Sequence, residues 1–120
     1  MPFTHAPFNL PSGKRAFRLH CTGTLTREDA LEIRLLTNKG GIYCGIAELA
    51  MLDANCVLTT EFREAIIARD EVASKIPFAI VALGPMIRVA TKFVVEVQHV
   101  SYRFANTEEE AIAWLDSVAP

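Results

Sequence analysis

From Ile42 to Leu52 the chain is nearly continuous apolar sequence, with Glu48 as its only charge. The run falls well short of the ~20 residues that a membrane span requires. A segment this apolar must instead be buried on both sides, which is the condition of a strand inside a parallel sheet covered by helices. Parallel strands are joined by long crossovers, usually helical, so this segment predicts helix–strand alternation on either side of it.

The flanking sequence carries that alternation. Phe17, Leu19 and Cys21 alternate with Arg18, His20 and Thr22, the two-residue period of a half-buried strand, and Gly23 ends it. Thr26-Arg27-Glu28-Asp29 opens a helix, with Thr26 as N-cap accepting a backbone N–H and acids at the positive end of the dipole. Ala30, Leu31, Ile33, Leu35 and Leu36 give this helix a broad apolar face, and Lys39-Gly40-Gly41 stops it. After Asp53-Ala54-Asn55, a second helix, beginning at Thr59 or Thr60 or earlier, is expected to run to about Lys75. Its apolar side would be Leu58, Phe62, Ala65, Ile66, Val72 and Ala73, interrupted at Arg69. Pro77–Leu83 is a short apolar strand closed by Gly84-Pro85. Met86, Ala90, Phe93, Val94 and Val97 then recur at helical spacing opposite Arg88, Lys92 and Glu96. The valines leave the second half of that stretch open to a strand reading. Val100, Tyr102 and Phe104 mark a last strand, and Thr107 with Glu110 forms a capping box ahead of Ala111, Trp114, Leu115 and Val118.

At the N-terminus, Pro2, Pro7 and Pro11 limit residues 1–13 to an arm or a short edge strand around Phe8 and Leu10. Residues 14–120 then read as a single α/β domain: a mixed, mainly parallel sheet of four or five strands flanked by four helices.

Composition narrows the function. Twelve Lys and Arg against fourteen Asp and Glu give a net charge of −2, with no basic surplus for nucleic acid or an anionic membrane surface. The first seven residues have neither the basic nor the apolar part of a signal peptide, so the expectation is a cytoplasmic protein. Cys21, Cys44 and Cys56 are odd in number and widely spaced, which fits reduced thiols. They and His5, His20 and His99 show no metal-ligand spacing, and no metal or cofactor is expected. There is no phosphate-binding glycine loop and no nucleophile elbow. Cys56 lacks a sequence-local histidine to act as its base, so the chain is not expected to be an enzyme.

Several segments together resemble the anti-sigma-factor-antagonist (STAS) domains, in particular the divergent SpoIIAA-like branch. Gly23-Thr24-Leu25-Thr26 is similar to the turn after that family's second strand. Ala47–Asp53 is similar to its buried strand leading into an Asp-led loop. Leu83-Gly84-Pro85 followed by Arg88-Val89 is similar to its strand-to-helix junction, and Phe104–Leu115 to its closing helix. The resemblance implies a SpoIIAA-like fold and a non-enzymatic regulatory role through protein interaction. The classical antagonists of the family carry Asp-Ser-Ser-Gly before the second helix, where a partner kinase phosphorylates a serine. The matching residues here are Asp53-Ala54-Asn55-Cys56, with no hydroxyl, so that switch cannot operate in its usual form.

The expected interaction loop is therefore Asp53, Ala54, Asn55, Thr59 and Thr60, and Gly84, Pro85 and Met86 form an expected ligand crevice at the carboxyl end of a strand. A homodimer is expected, along with a protein partner. The alternative is a carrier of a small apolar ligand such as a fatty acid, suggested by the hydrophobic share of 51%.

Overall fold

In the computed structural model, which describes residues 2–68, 75–98 and 101–120, the strand predicted at Phe17 forms as β2 (Arg15–Cys21). It pairs antiparallel with β1 (Phe3–Asn9) and parallel with β4 (Ala47–Leu52). Beyond β4 lie β6 (Phe78–Ala82) and β7 (Tyr102–Phe104), both parallel to it, giving a five-stranded sheet in the order β1-β2-β4-β6-β7. A second, two-stranded parallel sheet joins β3 (Thr24–Leu25) to β5 (Val57–Leu58). The helices are α1 (Arg27–Thr37), α2 (Thr60–Ile67), α3 (Pro85–Gln98) and α4 (Glu108–Val118).

Because successive side chains point to opposite faces of a strand, the sheet feeds two cores. Phe17, Leu19, Cys21, Leu52 and Ile80 pack with Ala30 and Ile33 of α1, Phe62 and Ile66 of α2, and Ile87, Val94 and Val95 of α3. Ala16, Ala47, Leu49, Ala79 and Val81 pack on the other side with Ala111 and Leu115 of α4. The final helix is fixed at both ends. Thr107 Oγ1 accepts from the Glu110 backbone N–H at 3.1 Å, and Glu110 Oε2 reaches back to the N–H of Asn106 rather than of Thr107. At its other end Lys14 Nζ donates to the carbonyls of Asp116 and Ala119, a cation placed where the dipole is negative.

The edge strand is longer than the prolines suggested, and its register shows why they are tolerated. Leu10 N–H bonds Lys14 C=O and Thr22 N–H bonds Pro2 C=O, so even-numbered residues of β1 face the partner strand. Pro7, opposite Phe17, therefore directs its donorless nitrogen away from the sheet. That outward ladder is incomplete at its centre, which opposes strand addition at this edge.

Three expectations are corrected. The apolar run from Ile42 is not all strand: residues 42–46 form turns around Gly45, at φ 78°, and only Ala47–Leu52 is extended. The run is apolar because Tyr43 plugs the core from the turn, its ring stacked 4.3 Å from Phe17. Helix α2 ends at Ile67, capped at Ala68, instead of reaching Lys75, which lies in a turn. Arg69, Val72 and Ala73 lie outside the described residues, as does Val100. Thr26 is the N-cap of α1, in a capping box with Asp29, whose Oδ2 accepts from the Thr26 N–H at 2.7 Å and from its hydroxyl at 3.0 Å. Finally, α3 is helical to Gln98, and its core-facing stripe is Ile87, Thr91, Val94 and Val95, leaving Met86 outside. The side chains of Phe93, Glu96 and Val97 lie outside the described set.

Candidate functional site

Strands β2, β4 and β6 run parallel, so their carboxyl ends share one edge of the molecule. There the chain turns through Thr22-Gly23, Asp53–Cys56 and Leu83-Gly84. This is the edge at which open α/β sheets bind their ligands. The expected interaction loop and the expected crevice meet here. A side chain at Gly84 would place its Cβ 3.3 Å from both Cα and Cβ of Ala54, a tight contact, so the two loops come closest where residue 84 has no side chain. Ala54, Asn55, Cys56, Val57, Met86 and Ala90 line one groove of about 320 Å³ between the loop and the first turns of α3.

Each expected residue has a definite place. His20 Nε2 donates to Asp53 Oδ1 at 2.9 Å, and Thr22 Oγ1 donates to Asn55 Oδ1 at 3.1 Å. The end of β2 thus clamps the loop at two points. Thr59 is the N-cap of α2: its Oγ1 accepts from the Phe62 N–H and donates to the Leu25 carbonyl at 2.8 Å. With both roles of its hydroxyl taken, Thr59 is a structural residue. Thr60 is exposed on the first turn, accepting from Arg63 Nη2 at 3.2 Å. Pro85 starts α3, a position where the missing N–H has no helical partner to lose.

Apolar side chains are exposed beside the groove. Met86 is 85% exposed and Val89 69% exposed. Val57 and Leu83 are exposed nearby in sequence, at the loop and the end of β6. Helix α3 therefore carries apolar side chains on two faces, one turned to the core and one to solvent. Arg88, on the polar stripe of the helix, is exposed and lies over the Phe104 ring, 4.9 Å from its centre.

Chemistry at this edge is limited by its geometry. The imidazole of His20 is oriented by a carboxylate, as a general base would be, but among the described residues no hydroxyl or thiol bonds to it. Cys56 is 5% exposed, and burial, helped by the charge of Asp53, pushes its thiol up to about 11. Cys21 is shifted upward too, first by burial. Thiols held protonated in this way are poor nucleophiles. Among the described residues no three His, Cys, Asp or Glu side chains converge on a metal site. An apolar cavity behind the sheet, lined by Leu19, Leu25, Glu48, Phe62, Thr91 and Val95 among others, has a volume of about 50 Å³. A cavity that holds benzene measures ~150 Å³.

Sequence reasoning missed His20 and Arg63, which lines the groove. His20 was legible only as an exposed position of an alternating strand. Its pairing with Asp53 follows from the parallel register that sets Cys21 opposite Leu52, a long-range fact.

No family model matches the chain, and no curated protein matches it significantly. Among solved structures it is similar to an uncharacterised protein of the DUF3478 family from Shewanella loihica PV-4, described as having a SpoIIAA-like fold. The two share 16% identity over 94% of each chain, with a TM-score of 0.61. The chain accordingly has a SpoIIAA-like α/β fold, as the motifs implied. Among the described residues no helix is long and apolar enough to cross a membrane.

Proposed function

We propose that this chain is a non-enzymatic regulatory module that docks a protein partner at the carboxyl edge of its sheet. The observation that carries the reading is the exposure of Met86 and Val89 beside the groove of loop 54–58. Apolar side chains grouped around a concave surface and rimmed by polar groups are characteristic of interaction sites. Asp53, His20, Asn55 and Arg63 supply that rim. The clamped loop is held ready in one geometry, so binding would lose little conformational freedom. The partner is a protein segment that places an apolar side chain between Ala54 and Met86.

The alternative, a carrier of a small apolar ligand, gains nothing from a core cavity of about 50 Å³. Partner retention by the immobilised protein tests the proposal. Asp53→Arg and Met86→Glu are each expected to abolish it while the circular dichroism spectrum is unchanged; equal retention by wild type and both variants would refute the assignment.

A further inference from the structure

A second surface, on a different face of α2 from the one that lines the carboxyl-edge groove, has a different character. Helices α1 and α2 lie side by side, and the trough between them is lined by Arg27, Leu31 and Arg34 on one side and Glu61, Glu64 and Ala65 on the other. It holds about 320 Å³. Through Leu31 and Arg34 it continues into a second hollow of about 400 Å³, bounded by Leu35 and Gly41. Leu35 is 75% exposed, although α1 turns Ala30 and Ile33 into the core. The walls are opposite in sign, yet among the described residues no ion pair joins Arg27 or Arg34 to Glu61 or Glu64. Arg34 Nε is buried without a hydrogen-bond partner. At 100° per residue, Glu28 and Glu32 fall on the flank of α1 away from this trough.

We propose that the α1–α2 trough is the surface through which two copies of this chain associate. A two-fold axis lying along the trough exchanges its walls, so the arginines of each copy face the glutamates of the other, twice. Leu31 and Ala65 meet between them. Such an interface is self-complementary, as closed two-fold dimers require. A partner of a single charge sign would be attracted by one wall and repelled by the other, whereas a second copy presents both signs in the matching places.

Sedimentation equilibrium of the full chain tests this. The wild type dimerises, more weakly as salt is raised because the wall charges are partly exposed. Arg34→Glu and Glu64→Arg each weaken self-association by ~10-fold or more, since each sets like charges face to face. Mixed in equal amounts, the two variants recover association, because each contact again joins opposite charges; a variant that had merely lost its fold could not do this. A monomeric wild type, a dimer indifferent to both variants, or a mixture that fails to recover would overturn the proposal. Met86→Glu, at the partner-docking edge, leaves the dimer intact, so this test and that of the proposed function fail separately.

Discussion

Helices α3 and α4 are both amphipathic, and they use their apolar residues differently. In α4, Ala111 and Leu115 are fully buried, Trp114 is half-buried, the first turn carries three glutamates, and Val118 of the last turn, 42% exposed, is the one large apolar side chain turned to solvent among its described residues. In α3, Ile87, Val94 and Val95 fill the core while Met86 and Val89 face outward at the edge where three parallel strands end. One helix closes the fold. The other closes the fold and leaves apolar surface over. That surplus, rather than any polar constellation, is the ground on which a docking site is proposed at the carboxyl edge.

The contrast can be broken first in the core. Leu115→Ala should lower unfolding stability by ~3 kcal/mol, within the range for buried leucines, as read from the urea midpoint. A loss under ~1 kcal/mol would mean that α4 is not the closing element. Cys56, on the floor of the groove, tests whether that floor is sealed. With its thiol near pH 11 against an ordinary value of 9.0, alkylation of the native protein at pH 8 should run ~100-fold slower than in urea. The folded state keeps this proton longer than the unfolded chain does. Stability from this group is therefore complete below about pH 9 and lost as pH rises through about 11. An alkylation rate equal in both states would show the groove to be open at its base.

A smaller effect is expected at the loop. Thr59→Ala removes the N-cap of α2 and should cost ~1 kcal/mol, while Thr59→Ser, which keeps the hydroxyl, should restore most of it. Smallest of all, Met86→Ala and Val89→Ala should change the unfolding midpoint by less than ~0.5 kcal/mol, as surface positions do. A larger loss would return α3 to the same class as α4 and remove the basis of the comparison.

Much of the frame was legible in sequence because it is written in short-range patterns. The alternation at Phe17–Cys21, the start of α2 at Thr60 and the cap at Thr107 each depend on residues within one or two turns. The less legible parts depend on distant partners. The pairing of Thr24-Leu25 with Val57-Leu58 involves only two residues on each side, too few to leave a period. The rotation of α3 is set by which of its two apolar stripes meets Ile80 and Phe62, and spacing alone does not choose between Met86 and Ile87. Asp53 was visible as the head of a loop. Its partner His20 was not, because only the register of β2 against β4 brings them together.

The central claim, that the carboxyl edge is a protein-docking surface, is tested most directly by photo-crosslinking in cells of the source organism. A photoreactive side chain placed at Met86 should give a discrete crosslinked partner, and the same probe at Ala113, exposed on α4, should not. Asp53→Arg in the Met86 probe background should remove the adduct. Identical adducts from both positions, or an adduct at Met86 that survives Asp53→Arg, would contradict the account.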